Sequence, residues 1–402
     1  KNQQTQLDLF SAQIRISHYE VLRKTAADIV KVCTPIVPAS GTGENNDSER
    51  YFNRLDKVIS QFCQHLCEAD LISLAQNESA FGASPSAISA GQAACAAPER
   101  YPDTQWSKLR SAISDVHGLD SKRILCGAGS MEIINCIIRT FAGTGDEVVG
   151  TQYGYGYVRT AASLTDARYL QAKEIDCTVS VDEILCTVTP ATKIVFVCNP
   201  GNPTGTMVSH DEILRLRKGL SEDVLLVIDQ AYGEFADDHN DPAETFALVD
   251  RGDTVVTRSF SKAYGLAGSR VGWGYFPMDV ATQMRKVLSP NNISVPAQVM
   301  ATAAMRDQLH MRSIVHRTID IRERFSDECR ALGLTVPESH TNFVLIRFAS
   351  AEISAEADRR LRANKLALRG MGPYGLADCL RATICEQSIM DRCLKVLNEV
   401  LQ

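Results

Sequence analysis

The chain has 402 residues, 45% of them hydrophobic and 22% charged, which is enough for a large apolar core and suggests two domains. Its net charge of −6 at pH 7 gives no indication of binding to nucleic acid or to an anionic membrane surface. The sequence contains no run of about 18 apolar residues, and its first residues do not lead us to expect a signal peptide. Its thirteen cysteines follow no disulfide spacing, so we expect reduced thiols and a cytoplasmic protein.

Residues 1–70 are predicted to form a helical extension. Apolar side chains recur at helical spacing in 6–32 and in 50–69. Cys63, His65 and Cys67 could be metal ligands, but only the two cysteines share a helix face and no second ligand pair follows at zinc spacing, so we expect core thiols. The extension could be an arm, an oligomer contact or the end of an upstream domain. The first residue is Lys1 and not methionine, so the chain could be part of a longer protein.

Three short apolar runs, at 194–198, 224–228 and 254–257, are separated by helical patterns such as 211–220. This order predicts βαβ units and a parallel sheet that is buried on both faces. Catalytic loops are then expected at the carboxyl ends of the strands. The sequences that follow the three runs are NPGNPTG (199–205), DQAY (229–232) and SFSK (259–262).

The stretch 257–273 reads TRSFSKAYGLAGSRVGW and places Lys262 directly after Ser-Phe-Ser, with Arg270 eight positions later. A lysine amine can add to an aldehyde when desolvation or neighbouring cations lower its pKa. Hydroxyl groups and a planar guanidinium suit a phosphate. The alternative for this stretch alone is an ordinary loop with a solvated lysine.

A second phosphate-binding pattern lies at 124–141, ILCGAGSMEIINCIIRTF, where a short strand runs through Gly-Ala-Gly into an amphipathic helix. Free N–H groups at the start of a helix favour a phosphate. The pattern alone is weak, because glycines precede many helices. Further along, Tyr153 in TQYGYGY offers a flat ring for stacking on a planar cofactor, although the tyrosines of this stretch could equally be core residues.

The lysine segment 259–273 resembles the pyridoxal-phosphate lysine segment of fold-type-I aminotransferases of class I and II, and especially the histidinol-phosphate aminotransferase-like group. The resemblance covers about residues 70–400. It includes LAQNESAFGASPS (74–86) and RYPDTQ (100–105), which are similar to the amino-terminal arm, and 339–348 and 367–385, which are similar to the small domain. It implies an α/β fold with a mostly parallel sheet in a large domain. We expect an arm at 71–98, a large cofactor-binding domain at 99–300 and a smaller α+β domain at 301–402.

The resemblance implies a role for each matching residue. Lys262 would form a Schiff base with pyridoxal 5′-phosphate, and Asp229 would keep the ring nitrogen protonated so that the ring acts as an electron sink. Tyr153 would stack on the ring, while Asn202 and Tyr232 would contact its phenolic oxygen. The cofactor phosphate would be held by Gly129, Ser130, Met131, Ser259, Ser261 and Arg270, together with Tyr101 of the neighbouring subunit.

Substrate recognition is also implied by the resemblance. Arg381 would clamp the substrate carboxylate with two parallel hydrogen bonds, and Arg369 would be a second cationic position. Asn77 and Phe81 belong to the arm that covers the substrate. The alternatives are surface ion pairs for the arginines and a helix cap for Asp229. Departures from the usual family residues at Phe81, Met131 and Gln230 favour a specialised substrate over histidinol phosphate itself.

The sequence therefore predicts a pyridoxal-phosphate aminotransferase acting on an amino acid or amino-acid-like amine by ping-pong half-reactions, as a homodimer with shared active sites and no metal. A decarboxylase, cyclase or oxidase with the same cofactor remains an alternative. A regulator with an aminotransferase-like sensor domain ranks last, because residues 1–70 carry eight Lys plus Arg against nine Asp plus Glu and show no basic face.

Overall fold

The computed structural model describes residues 71–239 and 241–402. The helices predicted at 6–32 and 50–69, together with Cys63, His65 and Cys67, lie outside the described residues. Residues 73–402 form one unit. The boundaries proposed at residues 98 and 300 remain predictions. None of the helices in the described ranges is long and apolar enough to cross a bilayer.

The described chain contains fourteen strands and twelve α-helices, numbered here in chain order. The strands are β1 (Ile72–Ser73), β2 (Ile124–Gly127), β3 (Glu147–Thr151), β4 (Arg168–Ala172), β5 (Glu174–Ile175), β6 (Thr178–Val179), β7 (Thr192–Cys198), β8 (Leu225–Asp229), β9 (Thr254–Ser259), β10 (Gly272–Tyr275), β11 (Phe343–Arg347), β12 (Leu366–Ala367), β13 (Arg369–Met371) and β14 (Leu376–Thr383). The helices are α1 (Pro85–Ala94), α2 (Ser107–His117), α3 (Ser130–Phe141), α4 (Tyr157–Ser163), α5 (Val181–Thr187), α6 (His210–Gly219), α7 (Pro242–Ala247), α8 (Met278–Val287), α9 (Val295–Arg306), α10 (Gln308–Ala331), α11 (Ala351–Ala363) and α12 (Gln387–Leu401).

The large sheet has seven strands in the order β2-β10-β9-β8-β7-β3-β4. Strands β4, β3, β7, β8 and β9 pair in parallel, and only β10 runs antiparallel to its neighbours β9 and β2 within this sheet. Every residue of β8 is buried, as expected for a parallel strand covered on both faces. The predicted fold-type-I architecture with a mostly parallel sheet is confirmed.

The ends of three neighbouring strands set the position of the site. Strand β7 ends at Cys198, β8 at Asp229 and β9 at Ser259. These strands are parallel, so the loops that follow them leave from the same edge of the sheet. The sequences NPGNPTG, DQAY and SFSK therefore meet at this edge, as the order of motifs predicted.

The apolar spacing from about 296 to 331 predicts one long helical stretch that links the two domains, but the structure has two helices there. Helix α9 ends before Asp307 and α10 begins after it. Asp307 has non-helical backbone angles, φ −94° and ψ 62°, and its carboxylate accepts a hydrogen bond from the backbone N–H of His310. An aspartate that caps a following helix interrupts a periodic apolar pattern without changing its spacing, so the pattern alone did not reveal the break.

A small antiparallel sheet has the strand order β11-β14-β13. Its register places Leu345 opposite Arg381 and Arg369 opposite Arg381 on the other side. Residues directly opposite each other on neighbouring strands point to the same face of a sheet. The side chains of Arg369 and Arg381 therefore leave the same face. The carbonyl of Leu74 accepts the backbone N–H of Thr383 at 2.9 Å, which ties the start of the arm to β14.

Candidate active site

A cavity of about 360 Å³ lies at the carboxyl edge of the large sheet. Its walls come from the loops after β7, β8 and β9, from the start of α3 and from the arm. Many residues predicted for the site line this one cavity: Ser130, Met131, Asn202, Asp229, Tyr232, Ser259, Ser261, Lys262 and Arg270.

Lys262 projects its amine between main-chain carbonyls and forms no ion pair with a carboxylate of the described residues. Its Nζ atom donates to the carbonyl of Asn77 at 2.9 Å and to that of Gln76 at 3.2 Å. Burial, together with the positive charges of Arg381 and Arg270, lowers the pKa of Lys262 to about 8. An amine with a lowered pKa is partly neutral near physiological pH, which a nucleophile or a general base needs.

Asp229 is a buried carboxylate with no cation beside it in the described part of the chain. Its side chain is 3% exposed, and its oxygens accept from the Thr257 hydroxyl at 2.8 Å and from the Cys198 thiol at 3.5 Å. Burial raises the pKa of Asp229 to about 6. A buried carboxylate without an opposite charge is costly, so this position suits a ligand that brings a protonated nitrogen.

The start of α3 and the loop after β9 form a site for an anion. Ser130 and Met131 begin α3, where backbone N–H groups are free of helical partners. Ser259 and Ser261 add hydroxyl groups, and Arg270 lies 3.5 Å from the Ser261 hydroxyl. This combination of helix start, hydroxyls and guanidinium fits a phosphate.

Gly129 allows the guanidinium of Arg270 to lie close to the start of α3 in the anion site. It has a φ of 85°, in the region that favours glycine, and a Cβ at this position would lie 2.5 Å from Nη2 of Arg270. Any side chain at position 129 would therefore force the guanidinium of Arg270 to shift.

Of the tyrosines in 153–157, Tyr155 and not Tyr153 lines the cavity. Tyr155 lines the cavity, and the charge of Asp229 contributes, after burial, to raising the pKa of Tyr155 to about 12. Tyr153 instead packs against a buried group that includes Cys177 and Leu345. The chain turns directly after β3, with the N–H of Gly154 bonded to the carbonyl of Thr151, so the strand direction does not continue to Tyr153. We therefore move the expected ring-stacking role from Tyr153 to Tyr155.

Arg381 reaches the site from the small sheet. It is 7% exposed, and it donates from Nη1 to Asn202 Oδ1 at 2.7 Å and from Nη2 to the carbonyl of Ala75 at 2.8 Å. Its Nε has no hydrogen-bond partner and no described carboxylate pairs with it. Arg369, on the same face of the sheet, is exposed and likewise forms no ion pair with a described residue. The small sheet thus carries two guanidinium groups on one face, and neither is in an ion pair with a described residue.

Comparison with known proteins identifies the family. Residues 69–397 match the family model of aminotransferase class I and II. The chain is 42% identical over 317 residues to histidinol-phosphate aminotransferase of Jannaschia sp. (strain CCS1), covering 79% of this chain and 87% of that protein. It is 44% identical over 314 residues to histidinol-phosphate aminotransferase of Rhodopseudomonas palustris (strain BisB18), covering 77% and 86%.

The chain belongs to the aminotransferase class I and II family.

A solved structure of a relative agrees with this assignment. The crystal structure of histidinol-phosphate aminotransferase from Sinorhizobium meliloti in complex with pyridoxal-5′-phosphate aligns with a TM-score of 0.77 and 27% identity, over 82% of this chain and 90% of that one. The predictions of a pyridoxal-phosphate-dependent aminotransferase, of its fold and of its cofactor are confirmed.

The side chains of this aminotransferase fit pyridoxal phosphate. The unpaired carboxylate of Asp229 suits the ring nitrogen, the start of α3 with Arg270 suits the phosphate, and the amine of Lys262 suits the aldehyde carbon. In the described ranges, no group of three or more histidine, cysteine, aspartate or glutamate side chains could hold a metal ion. The organic cofactor thus has matching groups at three separate positions of one cavity.

The remaining predicted residues lie at the margin of the aminotransferase site or away from it. The ring of Phe81 lies under the guanidinium of Arg317, at 4.1 Å from its centroid. Tyr101 is 87% exposed and does not line the cavity of its own chain. Asn77 is buried behind the cavity wall, while its neighbours Gln76 and Glu78 line the cavity.

Sequence analysis missed seven lining residues of this aminotransferase: Gln76, Glu78, Tyr155, Cys198, Ala231, Ala267 and Gly268. Cys198 could have been found, because it is the last residue of β7 and so lies at the catalytic edge of the sheet. For Gln76 and Glu78 the arm motif located the segment, but no pattern in it indicated which side chains face the cavity.

Proposed function

We propose that this aminotransferase transfers the amino group of histidinol phosphate to a 2-oxo acid. The observation that carries the proposal is the pair Arg369 and Arg381, which share one face of the small sheet and have no carboxylate partner among the described residues. The relatives at 42% and 44% identity are named histidinol-phosphate aminotransferases, which supports the same substrate.

Charge supports a phosphate ester over a simple amino acid. The α-carboxylate of an amino acid carries one negative charge, which Arg381 alone would balance. A phosphate monoester carries nearly two negative charges at neutral pH and presents three acceptor oxygens, so it matches two guanidinium groups better. The 2-oxo acid that accepts the amino group would use Arg381 for its carboxylate.

The three departures from the family pattern do not argue against this substrate. The side chain of Gln230 is hydrogen-bonded to the buried Arg258 and does not line the cavity. Phe81 packs under Arg317. Only Met131 faces the cavity, at the start of α3, where the cofactor phosphate is expected to bind. Two of the three departures thus lie outside the cavity lining.

Lys262, Asp229 and Arg381 would each have a separate role in the reaction. When bound, pyridoxal phosphate supplies an electron sink for the electron pair left on the substrate carbon after proton loss. The Nζ atom of Lys262 takes the proton from the carbon that bears the amino group and returns it to the cofactor side. Asp229 holds the positive charge of the ring nitrogen, and Arg381 orients the substrate through its anion.

We also propose a cytoplasmic homodimer with shared sites. Tyr101 is 87% exposed and does not line the cavity of its own chain, which supports its predicted contact with the cofactor phosphate of a partner subunit. The cysteines in the described ranges are all free thiols, in keeping with a reducing compartment.

A half-reaction assay tests the substrate proposal. Purified enzyme carrying the cofactor is mixed with histidinol phosphate, with histidinol or with L-amino acids, and conversion of the cofactor is followed by absorbance. We expect half-saturation with histidinol phosphate at a concentration about 100-fold or more below that for histidinol. Equal half-saturation by both compounds, or a higher kcat/KM for an unphosphorylated amino acid, would refute the proposal.

A further inference from the structure

Asn77 occupies a central position in the wall of the site without facing the cavity. It is 2% exposed and adopts a left-handed backbone conformation with φ 56°, which asparagine tolerates better than most other residues. Because Asn77 does not line the cavity, its placement indicates a role other than direct contact with the substrate.

The polar groups of Asn77 are hydrogen-bonded to residues of both the small sheet and the large sheet. Its backbone N–H donates to Thr383 Oγ1 at 2.9 Å, and its carbonyl accepts from Lys262 Nζ at 2.9 Å and from Asn342 Nδ2 at 3.1 Å. Its side-chain Nδ2 donates to the hydroxyl of Tyr232 at 2.8 Å. Asn77 thus joins the small sheet to two residues at the edge of the large sheet.

Thr383 determines which end of the Asn77 amide faces Tyr232. The Thr383 hydroxyl oxygen accepts the Asn77 backbone N–H, and its own proton is directed to Asn77 Oδ1 at 3.3 Å. The amide oxygen is therefore held toward Thr383 and the amide nitrogen toward Tyr232. The reverse orientation would place the NH₂ group against Thr383 and leave the Thr383 proton without this acceptor.

The direction of this hydrogen bond decides where the Tyr232 proton goes. Because Asn77 donates, the hydroxyl oxygen of Tyr232 is the acceptor and its proton remains available. No described residue accepts that proton, and Tyr232 lines the cavity. The hydroxyl can therefore donate to a ligand.

We propose that Asn77 is a positioning residue that acts through Tyr232, directing the tyrosine proton to the phenolic oxygen of bound pyridoxal phosphate. The inference rests on the assignment of Tyr232 to that oxygen and is independent of the substrate. A hydrogen-bond donor stabilises the ionised phenolic oxygen, so it lowers the pH at which the absorbance of the bound cofactor changes.

Four charged or titratable groups of the described chain face Tyr232. They are Arg381 on β14, Asp229 at the end of β8, Cys198 at the end of β7, and Lys262, whose Nζ lies 5.7 Å from the centre of the Tyr232 ring. A test that leaves these four groups unchanged reports on the Asn77 contact itself.

Asn77→Asp is the sharpest variant, because aspartate has the size of asparagine and tolerates the left-handed backbone but has no side-chain N–H. Its carboxylate accepts the Tyr232 proton and withdraws it from the cofactor. In enzyme carrying the cofactor but no substrate, we expect the pH midpoint of the visible absorbance to rise by about one unit. Tyr232→Phe should raise the midpoint by a similar amount.

A double variant separates the hydrogen bond from the added negative charge. If Asn77 acts through Tyr232, Asn77→Asp/Tyr232→Phe has the midpoint of Tyr232→Phe alone. A further rise in the double variant would show that the charge acts directly and would overturn the proposal. So would a midpoint in Asn77→Asp within about 0.2 units of the wild type.

Asn77→Gly provides a second variant should the aspartate protein fail to fold. Glycine accepts the positive φ and removes the amide without adding charge. The midpoint should rise here too, by less than in Asn77→Asp, and an unchanged midpoint would contradict the proposal. If Tyr232→Phe itself causes no shift, the assignment of Tyr232 fails and the proposal fails with it. The titration contains no substrate, so its result does not depend on the proposed substrate. The histidinol phosphate assay tests that substrate independently.

Discussion

Gln230 faces Arg258, with its Oε1 atom 3.1 Å from Nη2 and 3.3 Å from Nε of the guanidinium. The same guanidinium pairs with Asp237 at 2.9 Å and with Glu234 at 3.5 Å. Arg258 is fully buried and stands one residue before Ser259, while Gln230 follows Asp229. The neutral amide thus supplies an acceptor to the arginine without adding a third carboxylate.

Gln230→Glu should destabilise the protein more at high pH than at low pH. Burial raises the pKa of Glu234 to about 7. A glutamate at position 230 would join the same buried cluster and should have a raised pKa as well. A carboxyl whose pKa is raised in the folded state contributes stability below its unfolded pKa, and this contribution is lost as the pH rises through the folded pKa. We expect a loss of about 1–3 kcal/mol in the free energy of unfolding at pH 8 and less at pH 6, measured by urea denaturation.

The exposed Gln283→Glu is the matched control for this prediction, because it adds the same charge on the surface of α8. It should change the free energy of unfolding by less than about 0.5 kcal/mol at either pH. An equal effect of the two substitutions would show that the charge balance around Arg258 does not matter.

Asp229→Asn should stabilise the cofactor-free protein above pH 6. The pKa of Asp229 in the folded state is about 6, against an ordinary value of 3.8, because the carboxylate is buried without a cation. The ionised carboxylate therefore lowers the stability of the wild type as the pH rises from about 4 to 6, by about 3 kcal/mol in total. The asparagine variant lacks this loss, and thermal unfolding of both proteins across this pH range would show it.

With the cofactor bound, the ring nitrogen supplies the missing positive charge beside Asp229. Asp229→Asn should then destabilise the protein instead of stabilising it. Asp229→Asn should lower the rate of the first half-reaction by about 10²–10³-fold, which single-turnover absorbance measures. A half-reaction rate within about threefold of the wild type would exclude Asp229 as the partner of the ring nitrogen.

Lys262→Ala should abolish covalent attachment of the cofactor. The Lys262 amine lies in the cavity with a pKa of about 8, so it can be neutral and attack an aldehyde. Reduction with borohydride should fix the cofactor to the wild type, and mass spectrometry should find no such adduct in the variant. Lys286→Ala, on the exposed side of α8, should label as the wild type does. Labelling of Lys262→Ala would place the reactive lysine elsewhere.

Arg381→Lys should weaken recognition of the substrate phosphate. Lysine offers a point charge and cannot form the planar two-pronged contact. We expect the loss in kcat/KM for histidinol phosphate to correspond to about 2–4 kcal/mol, with little loss for histidinol. Arg359→Lys, which alters an exposed arginine on α11, is the control. Equal losses with both compounds would show that Arg381 does not read the anion.

Tyr101 should act in the site of a partner subunit. Tyr101→Phe removes the hydroxyl expected at the partner's cofactor phosphate, and Arg270→Ala removes the guanidinium of its own anion site. Mixing the two inactive variants should restore part of the activity, because each hybrid dimer contains one intact site. Activity that stays at the level of the separate variants after confirmed subunit exchange would refute sharing.

The positions of the catalytic loops could be predicted from the sequence, because they follow from strand order. Apolar runs ended within one or two residues of Cys198, Asp229 and Ser259, and parallel strands bring such ends to one edge. The direction of single side chains could not be predicted in the same way. Tyr153 and Tyr155 are two residues apart in a turn, and only the turn geometry places Tyr155 in the cavity.

Contacts between segments far apart in the chain could not be predicted from the sequence either. Asn77 and Thr383 are separated by 306 positions, yet their hydrogen bonds fix the Asn77 amide. The motif around Asn77 located the arm but assigned the residue to the substrate. Similarly, the replacement at Gln230 could be interpreted only once Arg258 was seen beside it.

Arg369 and Arg381 lie on one hairpin of the small sheet, whereas the proposed positions for the cofactor ring, phosphate and aldehyde lie on the large sheet and its loops. Under the proposed function, the choice of substrate and the retention of the cofactor are therefore encoded in different stretches of the gene. Mutations confined to residues 369–381 could change the substrate anion that is accepted while cofactor binding and amino-group transfer are kept. An ancestral enzyme of this design could acquire new amine substrates by drift in a single hairpin, and a laboratory library restricted to those thirteen codons could follow the same route.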